Sequence, residues 1–152
     1  MDHLLKKGYT DITVLDISEV AIKRAKERLG KTSKKINRLV SDVTELATEK
    51  KFDFWHDRAA FHFFTTEKQI QQYLSTAQKH ISENGRVLIG TFSTDEPDKC
   101  SGLPVKQYSK KSLSDLLKKW FQKIKCVAVD HTTPFNTIQN FLFCSFKKIS
   151  FE

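Results

Sequence analysis

The stretch DITVLDISEVAIKRAKERLG, residues 11–30, joins a strand pattern directly to a helix pattern. The segment from Asp11 to Ile17 is mostly apolar and partly β-branched, which is typical of a short strand. Ser18 then predicts a helix N-cap, apolar residues recur at helical spacing, and Gly30 predicts the end of the helix. A strand that leads at once into an amphipathic helix indicates an α/β layered domain.

The same alternation continues along the chain. The further predicted strands are Ile36 to Val40, Phe52 to Trp55, Arg86 to Phe92, Lys123 to Val129 and Phe141 to Lys147. The further predicted helices extend from a capping box at Thr66 to Asn84-Gly85 and from a cap at Ser109 through Trp120, and a long loop is predicted from Ser93 to Tyr108. The last two strands have no room for a crossover helix between them, so they should pair antiparallel in an otherwise mostly parallel sheet.

Length and cysteine usage narrow the class of protein. A chain of 152 residues fits a single domain, residues 1–152. The three cysteines are an odd number and widely spaced, which predicts neither a disulfide framework nor a zinc site and favours a reducing, cytoplasmic setting. No apolar run approaches the roughly 20 residues of a membrane span, so no membrane partner is expected.

The chain is basic, with 26 Lys and Arg against 18 Asp and Glu and a formal charge of +8. An excess of this size is compatible with a nucleic-acid partner. The lysines, however, occur in short scattered pairs, and solvated lysines are the commoner explanation. Charge alone therefore does not identify nucleic acid as a partner.

Polar side chains follow three of the predicted strands, where ligands bind in open parallel sheets. Asp16 ends the first strand, and a carboxylate there can accept hydrogen bonds from the two hydroxyls of a ribose. Asp42, followed by Val43, can contact an adenine. The alternatives are that Asp16 starts a turn or caps the helix through Ser18, and that Asp42 forms an Asx turn. His56 and Asp57 follow the third strand.

Together these segments resemble the class I S-adenosylmethionine-dependent methyltransferases, in a bacterial-type branch. The resemblance spans almost the whole chain and is carried by GYTDITVLDIS (residues 8–18), SDVT (41–44), WHDRAAFHFFT (55–65), GTF (90–92), CSGLPVKQY (100–108) and TPFNTIQ (133–139). It implies a Rossmann-like class I methyltransferase sheet and S-adenosyl-L-methionine as cofactor. It also implies that Asp16 binds the cofactor ribose, that Ile17 is a further cofactor-binding residue, and that Asp42 and Val43 lie beside the adenine.

The resemblance places His56, Asp57 and Arg58 beside the sulfonium and the methyl acceptor, so these three are the candidate catalytic residues, with His56 also touching the cofactor. An imidazole titrates near neutrality and can deprotonate an acceptor, although a histidine at a strand end is more often a structural hydrogen bonder. The alternative for Asp57 and Arg58 is that they pair with each other. His62, on an aromatic helix face, is expected to be a satisfied core residue.

The CSGLPVKQY loop is the candidate substrate-side segment. Its candidate substrate-binding residues are Cys100, Ser101, Gly102, Leu103 and Tyr108. Gly102 and Pro104 fix the shape of this loop, and the predicted buried strand at Arg86 to Phe92 leads into it. The alternative is an ordered surface connection.

One departure from the family is expected to matter. The family's first strand and glycine-rich loop should precede Met1, and no GxG occurs in the sequence. We therefore expect an N-terminally incomplete methyltransferase domain in which two strand edges lack their usual partner and favour self-association.

The alternatives to a methyltransferase acting on a small-molecule or protein acceptor are a catalytically impaired relic, a non-enzymatic module for nucleic acid, and a nicotinamide-dependent dehydrogenase. The dehydrogenase is disfavoured by the antiparallel tail and the WHDRA segment.

Overall fold

The chain divides into two units, Met1–Ala47 and Thr48–Glu152, and each unit contains one pair of parallel strands. The computed structural model describes residues 1–133 and 135–150. Pro134 of the TPFNTIQ motif lies outside the described residues.

The first unit is a strand–helix–strand arrangement that follows a short helix. Its elements are α1 (Asp2–Lys6), β1 (Ile12–Asp16), α2 (Glu19–Leu29) and β2 (Ile36–Val40). Strands β1 and β2 are parallel, in a register that runs from Ile12 opposite Ile36 to Asp16 opposite Val40. The Ser18 hydroxyl accepts from the Ala21 backbone N–H, and α2 contacts both strands. The predicted strand, helix and strand are confirmed.

The second unit contains a four-stranded sheet with the order β3-β4-β8-β7. Its elements are β3 (Phe52–Arg58), α3 (Glu67–His80), β4 (Ile81–Phe92), β5 (Lys99–Cys100), β6 (Leu103–Pro104), α4 (Lys110–Leu117), β7 (Phe121–Thr132) and β8 (Ile138–Lys148). Strands β3 and β4 are parallel, whereas β4, β8 and β7 pair antiparallel. The predicted antiparallel tail is confirmed, and so is the capping box at the start of α3.

Several predictions for the second unit are wrong in detail. Strand β3 does not end at Trp55 but continues through His56 and Asp57 to Arg58, and α4 ends at Leu117, before Trp120. Helix α3 ends at His80 and does not continue to Asn84-Gly85, because Ile81 has an extended backbone (φ −81°, ψ 132°) and pairs with Phe52 of β3. The segment from Ser93 to Tyr108 is also not a loop throughout. It contains the small hairpin β5–β6, whose turn residues Ser101 and Gly102 have positive φ values of 52° and 80°, and a two-residue turn of this kind suits a tight hairpin.

The prediction that the cysteines form no disulfide framework missed one bond. Cys126 of β7 and Cys144 of β8 lie directly opposite each other, with their Cα atoms 4.1 Å apart, and form a disulfide, while Cys100 is free. Spacing along the sequence did not indicate this bond, because the two residues are 18 positions apart and only the register of the hairpin brings them together. The cytoplasmic setting stays a prediction.

Each parallel pair has an edge without a strand partner. Among residues 1–133 and 135–150, β1 pairs with β2 alone, and β3 pairs within its sheet with β4 alone. The alternating elements, the parallel pairs and the antiparallel tail form a Rossmann-like α/β structure. No helix in the part of the chain that the structure describes is long and apolar enough to cross a membrane.

Candidate active site

Asp16 and Asp42 follow neighbouring strands at the same edge of the β1–β2 pair. Asp16 ends β1, and its backbone carbonyl accepts from the Ser41 N–H at 3.1 Å. The Oδ1 atom of Asp16 accepts from the Ser18 N–H at 2.8 Å, and Oδ1 of Asp42 accepts from the N–H and the hydroxyl of Thr44, each at 2.8 Å. Both turn roles considered for these aspartates are therefore real, and each uses a single carboxylate oxygen.

The surroundings of these two carboxylates fit the adenosine part of the cofactor. Within the described residues, Oδ2 of Asp16 and Oδ2 of Asp42 carry no hydrogen bond, so both can accept from hydroxyl or amino donors. Ile17 is 72% exposed and Val43 is half-buried, which leaves apolar surface next to the carboxylates. This unit therefore offers acceptors for a ribose and an apolar contact for a base.

Asp57 of β3 is held by internal partners. Its carboxylate accepts from the backbone N–H groups of Ala60 and Phe61, at 3.1 and 3.2 Å, and from the Tyr73 hydroxyl at 2.8 Å. The Tyr73 hydroxyl in turn accepts from Trp55 Nε1 at 3.0 Å. Burial raises the pKa of the Asp57 carboxyl, although its hydrogen bonds oppose the shift. Asp57 therefore fixes the turn after β3 and does not pair with Arg58.

His56 and Arg58 lie on the opposite face of β3, because successive side chains of a strand alternate between faces. Both side chains are exposed. Desolvation lowers the pKa of His56, and the neighbouring Asp57 carboxylate opposes this effect. The imidazole is therefore mainly neutral at pH 7 and able to accept a proton. The Arg58 guanidinium lies over the Phe141 ring, 5.6 Å from its centroid.

His62 is a buried core histidine, as expected. It lies in a 3-10 turn (Phe61–Phe63), and its Nδ1 accepts from the Phe92 N–H at 3.3 Å. Burial lowers the pKa of His62 to about 4. Its Nε2 has no hydrogen-bond partner among the described residues, so the side chain is only partly satisfied.

The five candidate substrate residues have different surroundings. Cys100 is half-buried against a cluster of Phe92, Val105 and Phe141. Ser101, Gly102 and Leu103 are exposed at the hairpin turn. Tyr108 is only 2% exposed, with its ring 5.4 Å from that of Phe61, and burial raises its pKa well above the usual value. The structure thus packs Cys100 against the buried cluster that includes Phe141 and places Tyr108 in the core.

The aromatic residues beneath Arg58 were not identified as site residues from the sequence. Phe141 and Phe143 stack with centroids 6.0 Å apart and an interplanar angle of 26°. Gly90, opposite Phe143 in the register, leaves room for that ring, because a Cβ there would lie 2.5 Å from it. The i, i+2 spacing of the two phenylalanines placed both on one strand face, but only the register showed which residues they face.

Residues 1–87 match a family described as a methyltransferase domain. A curated relative, malonyl-(acyl-carrier protein) O-methyltransferase 2 from Ilyobacter polytropus, is 29% identical over 86 residues. That match covers 57% of this chain and 32% of the relative, so the chain spans about a third of the length of the curated relative.

Solved structures with the same fold are also methyltransferases. The N-methyltransferase NodS from Bradyrhizobium japonicum, in complex with S-adenosyl-L-homocysteine, is 16% identical with a TM-score of 0.71, over 91% of this chain and 66% of NodS. The 1,6-didemethyltoxoflavin N1-methyltransferase from Burkholderia thailandensis is 19% identical with a TM-score of 0.74, over 98% of this chain and 65% of that one. A SAM-dependent methyltransferase from Methanosarcina mazei is 16% identical with a TM-score of 0.76, over 97% and 85% of the two chains.

The family match covers more than half of the chain, and the fold agrees with that of the solved methyltransferases over nearly all of it. The chain therefore belongs to the methyltransferase domain family, with the class I fold and with S-adenosyl-L-methionine as the cofactor of the family.

Proposed function

We propose that this chain is an S-adenosyl-L-methionine-dependent methyltransferase of the WHDRA/CSGLPV branch, which transfers a methyl group to a small-molecule or protein acceptor. The observation that carries the proposal is the pair of carboxylates at the shared edge of β1 and β2. Asp16 and Asp42 each bind a local turn through one oxygen and keep the other available.

In this proposal the first unit binds the adenosine part of the donor. Asp16 accepts from the ribose hydroxyls, and Asp42 accepts from the adenine amino group. Ile17 and Val43 pack on the base. Carboxylates suit these contacts because they only accept hydrogen bonds and because the bonds are charge-assisted.

The second unit presents the acceptor. The bound donor supplies an already activated methyl group, so the protein mainly aligns the acceptor and excludes water. A mainly neutral His56 can take the acceptor proton, and we assign it a contact with the cofactor as well. Asp57 positions the turn that follows His56 and Arg58, while Arg58 and the CSGLPVKQY segment contact the acceptor.

We further infer that a strand from another segment or from a second copy completes the single methyltransferase-like domain. Two observations support this inference. Strands β1 and β3 each leave one edge without a strand partner in the described residues, and unpaired edges favour association. The sequence also has no GxG from which a glycine-rich loop could be built.

The binding proposal predicts that Asp16→Ala weakens the binding of S-adenosyl-L-homocysteine by roughly ten- to a hundredfold, because hydrogen bonds to a charged acceptor are lost. Calorimetric titration measures this change. The matched control is Asp11→Ala, one residue before the other end of β1, which should bind like the unaltered chain.

Equal affinity for the Asp16→Ala and Asp11→Ala variants would contradict the assignment. If the unaltered chain does not bind the cofactor product but binds RNA with a steep salt dependence, the non-enzymatic module is favoured instead.

A further inference from the structure

Arg58 is a cation held over an aromatic surface without a carboxylate partner. Its guanidinium lies 5.6 Å from the centroid of Phe141, and the side chain is exposed. No salt bridge to Arg58 occurs in the part of the chain that the structure describes. A guanidinium stacked on a ring is restricted in orientation but keeps its N–H donors at the edge of the plane, where they can bind a ligand.

Asp57, beside Arg58 in sequence, and the two acidic residues that bind Asn140, next to Phe141, have other partners. Asp57 accepts from the Tyr73 hydroxyl and from two backbone N–H groups on the opposite face of β3. Glu96 accepts from the Asn140 backbone N–H, and Asp130 accepts from the Asn140 side-chain amide at 2.7 Å. None of these contacts neutralises the charge of Arg58.

The side chains under Arg58 are aromatic and belong to β8. We call Phe141, which is only 5% exposed, and the half-buried Phe143, which stack on each other, the aromatic platform. The His131 ring meets Phe141 edge-on, at a centroid distance of 6.2 Å. Cys100 and Phe63 pack against the buried cluster of Phe92, Val105 and Phe141, so the candidate substrate loop is packed on the cluster that contains one platform ring.

From this arrangement we propose that Arg58 and the aromatic platform recognise a methyl acceptor that carries a carboxylate beside an aromatic or other flat apolar body. The carboxylate binds the guanidinium in a two-point contact, and the apolar body lies against the accessible part of Phe143, because Phe141 is buried. One guanidinium matches the single charge of a carboxylate, whereas a phosphate dianion is usually held by several donors. The inference rests on the proposed function, because it names the acceptor class of the same site.

Phenylacetate, with phenylacetamide as its neutral partner, tests this proposal on the full chain. Titrations followed by ¹H–¹⁵N correlation spectra should show phenylacetate shifting the Arg58 Nε–H signal and the amide signals of Phe141 and Phe143. Phenylacetamide should bind at least about tenfold more weakly than phenylacetate, since the charge-assisted hydrogen bonds are missing.

Substitutions separate the guanidinium from the rest of the surface. Arg58→Gln should weaken phenylacetate binding about tenfold, and Arg58→Lys should restore only part of the loss, because an ammonium lacks the planar pair of donors. The matched control is Arg86→Gln, an exposed arginine of β4 in the same sheet, which should leave binding unchanged. Circular dichroism and thermal unfolding verify that each variant is folded, and the amide–acid comparison on the unaltered chain needs no variant.

Three results would overturn the proposal. They are equal binding of phenylacetate and phenylacetamide, equal losses in Arg58→Gln and Arg86→Gln, and tighter binding of phenyl phosphate than of phenylacetate. These titrations contain no methyl donor. A chain that binds phenylacetate as predicted but fails to bind S-adenosyl-L-homocysteine therefore refutes the proposed function alone, and the opposite pair of results refutes only the acceptor class.

Discussion

Three consecutive residues, His56 to Arg58, have very different surroundings although they form one sequence motif. The strand alternates its side chains, so Asp57 enters the core while His56 and Arg58 remain exposed. The sequence identified the motif but could not divide its members between positioning and contact roles. That division depends on Tyr73, which is 16 positions from Asp57 and whose hydroxyl binds its carboxylate.

The burial of His62 predicts that the stability of the fold depends on pH. Its folded pKa of about 4 lies below the usual value of 6.5, so the unfolded chain binds the proton more readily and stability is lost as the pH falls between these values. Between pH 7 and pH 5 the His62 contribution to the free energy of unfolding should fall by about 2 kcal/mol. Urea unfolding of the unaltered chain and of His62→Phe at both pH values measures this difference.

The free energy of unfolding of His62→Phe should depend less steeply on pH than that of the unaltered chain. Removing the acceptor for the Phe92 N–H lowers the stability of the variant by the same amount at both pH values and does not affect this comparison. His131→Phe, which alters an exposed histidine, is the control and should keep the slope of the unaltered chain. If His62→Phe and the unaltered chain lose the same stability over this range, His62 is not buried in its neutral form.

At the scale of elements, local signals predicted the starts of helices better than their ends. The capping box at Thr66 and the cap at Ser109 are present as the sequence indicated, because a cap needs only neighbouring residues. The end of α3 was missed because Ile81 fits a helical apolar stripe as well as a strand, and its pairing with Phe52 decides the matter. The Cys126–Cys144 bond was missed for the same reason, since it depends on strand register.

The disulfide between β7 and β8 is expected to stabilise the fold. It joins the edge strand β7 to β8 across a sequence separation of 18 residues, so reduction should lower the free energy of unfolding by about 3 kcal/mol. Urea unfolding with and without dithiothreitol measures the loss. The double variant Cys126→Ser/Cys144→Ser should not respond to the reductant.

A thiol count provides a separate outcome. The oxidised chain, unfolded in denaturant, should expose one reactive thiol, that of Cys100, because Cys126 and Cys144 are joined. Three reactive thiols, together with a urea unfolding midpoint that is the same with and without dithiothreitol, would show that β7 and β8 are not cross-linked.

At the scale of the whole molecule, the sequence predicted the fold class and the unpartnered edges of β1 and β3. The alternation of elements indicated the fold class, whereas the two open edges were implied by the resemblance to class I methyltransferases. The aromatic platform could not be predicted, because it depends on Gly90 facing Phe143 across the β4–β8 register. Local patterns therefore indicate which residues end strands, while long-range register determines which side chains meet.

The account depends most on two carboxylates. One is that of Asp16, which ends β1, and the other is that of Asp42, which begins the turn after β2. A titration of the ¹⁵N-labelled chain with S-adenosyl-L-homocysteine, followed residue by residue, tests them most directly. We predict saturable shifts of the amide signals of residue 16, Ile17, Asp42 and Val43, which in Asp16→Ala need roughly ten- to a hundredfold more ligand and in Asp11→Ala the same amount as in the unaltered chain. A saturating titration that leaves these four signals unmoved, or that reaches saturation at the same ligand concentration in both variants, would contradict the account.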